Sequence, residues 1–137
     1  MYPYASYQKA QVVEASPEEL MLQLYQGALV RLKQAQDLWS KGEEDPARQK
    51  RLQAMDIICY LDETLDREQE SELVEELEAL YAFMIREVTK STRHDDFDRL
   101  DAVYDVLQTM YKGWKEAVIE YKKEQNTPQE ERVAQVG

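Results

Sequence analysis

The chain has 137 residues and a net charge of −11, with a third of its residues charged. That length suits one domain with a real core, and the acidic balance speaks against binding duplex nucleic acid or anionic membrane, both of which call for a basic surface. No apolar run approaches a membrane span, no signal peptide opens the chain, and the single Cys59 excludes an internal disulfide framework, so a cytoplasmic protein is expected.

Residues 1–15 read as an arm of mixed polarity, extended or short-helical, that carries Tyr2, Tyr4 and Tyr7. A strong helix start follows. Ser16 is a good N-cap, Pro17 fits the first helical position, and Glu19 completes a capping box with Ser16. The first helix is expected from about Pro17 to Ser40, stopping at Lys41-Gly42. The second is expected to start near Pro46, with Asp45 as N-cap, and to end near Asp66. The third covers roughly Glu70 to Thr92, and the fourth begins after Asp95 and continues to about Glu124. Residues 125–137 are polar, include Pro128 and lack a sustained apolar stripe, which predicts a disordered tail. Pro3, Pro17, Pro46 and Pro128 fall at helix starts or in loose stretches and interrupt no periodic run. Short connections place successive helices antiparallel. The expectation is an all-α antiparallel four-helix bundle over residues 16–124, between an arm at 1–15 and a flexible tail at 125–137.

On a wheel at about 100° per residue, the fourth helix shows one stripe: Phe97, Leu100, Val103, Tyr104, Leu107, Met110, Tyr111, Trp114, Val118 and Tyr121. The second differs. Leu52, Met55 and Cys59 point one way, Ile57, Leu61 and Leu65 point well around the barrel, and Ile58 lies between, with Asp62 interrupting. These positions span roughly 200°, against the ~100° that a surface helix usually offers its core. The first helix has a main stripe of Met21, Leu24, Tyr25, Ala28, Leu32, Ala35 and Trp39, with Leu22 and Leu29 on its edge and Val30 on the far side. The third adds Val74, Tyr81 and Ile85 beside Leu73, Leu77, Leu80, Met84 and Val88. Two readings stand. Unequal packing buries the extra residues, or they line a groove that receives an apolar segment of another protein. The arm's tyrosines are poorly placed for a bundle core, and they can cover such a groove when no partner is bound.

Gly27 and Gly113 lie inside expected helices, where each costs about 1 kcal/mol relative to alanine. Gly27 is read as a contact position, and Gly113, before Trp114, as a packing accommodation. Little chemistry is on offer. A paired-metal bundle needs Glu-x-x-His on two helices, whereas His94 is the single histidine and lies in an expected loop. Cys59 falls on an apolar helix face, where a buried thiol is the default. No phosphate-binding glycine loop is present. The acidic run from Asp62 to Glu78, with Arg67 alone opposing it, reads as solvated helix exterior or as steering for a basic partner. No enzyme activity, cofactor or metal is expected.

The opening segments resemble those of the FliS family, the flagellar secretion chaperones. Ala15 to Leu20 (Ala-Ser-Pro-Glu-Glu-Leu) follows the arm's Tyr7, and Leu24 to Ala28 forms the Leu-Tyr-x-Gly-Ala segment. The similarity continues with Ala54, Ile57, Ile58 and Leu61, with Leu80-Tyr81-Ala82-Phe83-Met84 before Ile85, and with Trp114-Lys115. Lys90-Ser91-Thr92 replaces the family's usual Glu-Ala-Asn, a departure at the turn between helices 3 and 4.

The resemblance implies a cytoplasmic chaperone, monomeric when free, that binds flagellin's disordered C-terminal segment 1:1 and presents it to the flagellar export gate protein. It makes no direct membrane insertion. The contact residues it suggests, together with the surplus faces, are Tyr4, Tyr7, Leu22, Leu29, Ile57, Ile58, Leu61, Leu65, Tyr81 and Ile85. Gly27 would allow close approach, and Tyr4 and Tyr7 are also candidates for the cover and the gate contact. The rival reading is a helical structural or adaptor module that self-associates through the same faces.

Overall fold

The computed structural model describes residues 15–126. Over these residues the fold is an all-α four-helix bundle: α1 (Pro17–Ser40), α2 (Glu44–Glu63), α3 (Glu72–His94), a 3-10 turn (Phe97–Arg99) and α4 (Leu100–Asn126). The arm and tail, with Tyr4 and Tyr7, lie outside the described residues.

The ends of α1 follow from its sequence. The Ser16 hydroxyl accepts the Glu19 N–H at 3.2 Å, which satisfies one of the helix's orphan donors. At the other end Gly42 takes a φ of +78°, open to glycine without steric cost. The later boundaries shift from expectation. Glu43, not Asp45, precedes α2, and its side chain makes no capping bond. Asp45 and Pro46 sit instead in the first turn, where a carboxylate suits the helix dipole and a missing N–H does no harm. The α2 helix stops at Glu63 rather than near Asp66. Ser71 caps α3 by accepting the Val74 N–H at 3.1 Å, so that helix begins two residues after Glu70 and runs on to His94, which is helical rather than in a loop.

The helices form a ring in which α1 packs on α2 and α4, and α3 packs on α2 and α4. Tyr25, Leu32, Ile58, Met84, Leu100 and Leu107 are fully buried at its centre. The most extensive pairing is between α1 and α2, and Gly27 sits in it: a Cβ there would lie 3.5 Å from Ile57 Cδ1 and 3.2 Å from Arg31 Nη1. Gly113 differs from its expected role, since an added Cβ would meet nothing within 4 Å.

The end that joins α1 to α2 and α3 to α4 is braced by charge. Arg51 is buried, with 4% of its surface exposed, and its Nη2 donates to Asp95 Oδ1 at 2.9 Å while Nη1 donates to the Ser91 carbonyl at 3.1 Å. Arg48 donates to the same Asp95 carboxylate at 2.7 Å. The Arg51 guanidinium also lies 4.5 Å from the centre of the Phe97 ring, which stacks on Trp39 at 4.3 Å. Asp95 terminates α3 at a φ of +50°, a region Asp tolerates better than most residues. Hydrogen bonds from Arg48, then Arg51, hold its carboxyl well below the ordinary range, at about 2.

Candidate functional site

Between α1 and α4 runs an open groove of about 540 Å³, lined by Gln26, Leu29, Val30, Gln108, Tyr111, Lys112 and Lys115. Helical spacing builds both walls. Gln26, Leu29 and Val30 lie at i, i+3 and i+4 on α1, and Gln108, Tyr111, Lys112 and Lys115 repeat that pattern on α4. The walls run antiparallel and are pinned along their length. Gln36 Nε2 donates to Asp101 near one end. Gln26 Nε2 donates to the Tyr111 hydroxyl at 2.8 Å in the middle. Lys122 pairs with Glu19 at the other end.

The groove's chemistry is apolar with a basic rim. Leu29 is nearly buried, at 9%, and forms part of the core, whereas Val30 is 52% exposed. Lys115 Nζ lies 6.0 Å from the centre of the Tyr111 ring, and Lys33, three residues beyond Val30, lies over Tyr104 at 4.7 Å. No carboxylate lines the groove.

A polar triad, buried at its two tyrosines, stands behind it. The Tyr25 and Tyr81 hydroxyls are 2.5 Å apart, and Trp114 Nε1 donates to Tyr25 Oη at 3.0 Å. Burial raises both phenols above their ordinary range, so they stay neutral at physiological pH and act as hydrogen-bonding struts across α1, α3 and α4.

The structure brings together only part of the expected contact set. Leu29 lines the groove, and Leu22 lies two turns before it on α1, half-buried. Gly27 and Ile57 meet at the α1/α2 crossing instead. Ile58, Leu61 and Tyr81 are buried in the core of the free bundle. The reason is that α2 has two neighbours. Its wide apolar arc is used in packing on α1 and α3 as well as on the core, and only Leu52 and Tyr60 are left as exposed large hydrophobics on it. Leu65 and Ile85 are half-buried against the core from other sides. The sequence reading missed the α4 wall, because Tyr104 and Tyr111 fit a core stripe equally well. The available signal was Lys112 and Lys115, a basic pair beside that stripe in an acidic chain.

Among the described residues, no group of three or more His, Cys, Asp or Glu side chains could hold a metal ion. Burial, then the charges of Asp62, Glu63 and Asp56, push the Cys59 thiol up and disfavour its thiolate. No helix among these residues is long and apolar enough to cross a membrane. Arg67 donates to Asp62 at 2.6 Å and lies 3.3 Å from Glu78, so it spans the two ends of the acidic run.

Comparison with known proteins places the chain's sequence beside one family. The family described as Flagellar protein FliS matches residues 1–121. Flagellar secretion chaperone FliS of Vibrio cholerae is 30% identical over 113 residues, 82% of this chain and 82% of that protein. Flagellar secretion chaperone FliSB of Pseudomonas aeruginosa is 36% identical over 107 residues, 77% of this chain and 84% of that protein. Flagellar secretion chaperone FliS of Bacillus subtilis is 28% identical over 124 residues, 90% of this chain and 92% of that protein.

Proposed function

This chain belongs to the FliS family, and on that premise we propose that it holds the disordered C-terminal segment of flagellin in the cytoplasm. The family is one of flagellar secretion chaperones, not of enzymes, so the chain has a chaperone role in flagellar export. In the finer reading the captured segment cannot polymerise prematurely and is delivered to the membrane-embedded export gate.

The observation that carries this reading is the α1/α4 groove, with Val30 open to solvent beside Leu29 and Tyr111. A disordered tail must bury apolar surface to offset its ordering entropy, and this groove supplies such surface without unfolding the core. The half-buried Leu22, Ile57, Leu65 and Ile85 are further contacts for a segment that wraps the bundle, and the close α1/α2 approach at Gly27 sets the spacing of that wall.

Titration with a flagellin C-terminal peptide tests the reading, followed by circular dichroism and calorimetry. The expected result is a 1:1 complex with a gain of helix, and a loss of about tenfold or more in affinity for Val30→Glu at unchanged melting temperature, or ~1.4 kcal/mol of binding. A peptide that does not bind the parent chain overturns it. A stable oligomer in light scattering without peptide would favour self-association. Tyr4 and Tyr7 are proposed as groove cover and gate contact. Deleting residues 1–12 should change peptide affinity and surface-dye binding, and unchanged values would remove the covering role.

A further inference from the structure

The seven residues that line the α1/α4 groove include two lysines and no carboxylate, in a chain where 28 acidic residues stand against 17 basic ones. Elsewhere several cations are held by carboxylates. Arg48 and Arg51 share Asp95, Arg67 bridges Asp62 and Glu78, and Arg99 reaches Glu87 at 3.0 Å. Among the described residues Lys112 and Lys115 form no ion pair, and Lys115 has only the Tyr111 ring. Their i, i+3 spacing puts both ammonium groups over one edge of the groove. Lys33 extends the basic rim from the α1 side.

From this we infer that the groove selects an acid-flanked amphipathic helix: a partner segment with an apolar stripe for Leu29, Val30 and Tyr111 and carboxylates, three or four residues apart, for Lys112 and Lys115. The inference rests on the groove being the partner site proposed above, and it names the chemistry of the occupant. The apolar floor provides burial, as in other helix-in-groove complexes. The lysines provide selection, because complementary charge fixes register and rejects like-charged competitors. The chain's net negative charge disfavours an acidic segment over the surface as a whole, so the two lysines beside apolar lining favour this groove as its landing place. Lys112 and Lys115 are thereby specificity-determining residues.

The test is a charge swap on the full chain. Two designed amphipathic helical peptides of about 18 residues (five turns) share one leucine stripe and differ only in flanking Glu or flanking Lys. The parent chain should bind the Glu-flanked peptide at least about tenfold more tightly than the Lys-flanked one, and the preference should shrink in high salt. Lys112→Glu/Lys115→Glu should reverse the preference, and Lys112→Gln/Lys115→Gln should abolish it, both with unaltered melting temperature. Equal affinities for the two peptides, or a preference the double variants leave intact, overturn the inference. So does binding of the Glu-flanked peptide only after residues 127–137 are removed, because the occupant is then the chain's own Glu130 and Glu131. A flagellin C-terminal peptide run in parallel separates this from the broader reading. If that peptide binds parent and double variants alike, the inference fails and the chaperone reading stands. If it binds none of them while the designed peptides obey the swap, the reverse holds.

Discussion

The braced end of the bundle and the α1/α4 groove use the same kinds of residue in opposite ways. At the braced end Arg48, Arg51, Asp95, Trp39 and Phe97 satisfy one another. Along the groove the aromatic and basic side chains of Tyr111, Lys112 and Lys115 border open space. Arginine at the first site forks between the Asp95 carboxylate and the Ser91 carbonyl, whereas lysine at the second is a point charge on a flexible stem. The contrast separates residues that hold the fold from residues left over for recognition. Substitutions at the first should change stability, and substitutions at the second should change binding alone.

Arg51→Ala is the largest test of that division. Removing a buried cation leaves the Ser91 carbonyl and part of the Asp95 carboxylate without a donor, and the expected loss is ~3–5 kcal/mol. Arg51→Met keeps much of the volume but leaves the same two acceptors without a donor, so its loss should approach that of the Ala variant. Urea unfolding measures both, and a Met variant close to the parent would mean that volume rather than charge holds this end.

The Tyr25–Tyr81 pair comes next and links the two regions, since it joins the core to Trp114 behind the groove. Tyr81→Phe leaves the buried Tyr25 hydroxyl short of one partner, at a cost of about 1–3 kcal/mol. Tyr25→Phe/Tyr81→Phe removes both hydroxyls and should cost less than the sum of the single variants. Additive losses in the double-mutant cycle would show that the two hydroxyls are not coupled.

Asp95 gives the braced end a pH signature. Its carboxyl is held at about 2 by Arg48 and Arg51, below its unfolded value of about 3.9. The stability this adds is therefore fully present above pH ~4 and is lost as pH falls toward 2. Asp95→Asn keeps a residue that tolerates the left-handed backbone at this position and removes the charge. The gap in stability between parent and variant should be widest at neutral pH and close between about pH 4 and pH 2. A gap independent of pH would place the contribution in shape rather than charge.

The sequence revealed the braced region and the groove unequally. Ser16-Pro17 and Lys41-Gly42 marked α1 at both ends because caps and left-handed glycines are local chemistry. The α2 start was not readable, since Glu43 caps without a side-chain bond. Arg51 falls on the core spacing Ala47, Ala54, Ile58 and Leu61, between two alanines that leave it room. That pattern was legible, yet a charged residue is ordinarily assigned to solvent. On the groove, Leu29 emerged as surplus on α1, but a wheel gives the direction of a side chain within one helix and not which helix stands opposite. For that reason Ile58 and Leu61, with the same apolar character as Leu29, turned out to be core residues.

Gly113 offers the smallest stability effect and a sharp separation of the two roles. In mid-helix it gives up about 1 kcal/mol relative to alanine, and nothing in the bundle requires it, because an added Cβ has no neighbour within 4 Å. Gly113→Ala should therefore raise stability by ~0.5–1 kcal/mol. Gly27→Ala should gain less, because its Cβ must displace the Arg31 guanidinium that donates to the Gly27 carbonyl at 3.1 Å. A glycine that weakens its own helix without serving internal packing fits a surface that something else approaches. If Gly113→Ala both stabilises the free chain and weakens capture of a flagellin peptide, the open side of α4 belongs with the groove as recognition surface. If binding is untouched, recognition ends at the edge that Lys112 and Lys115 form.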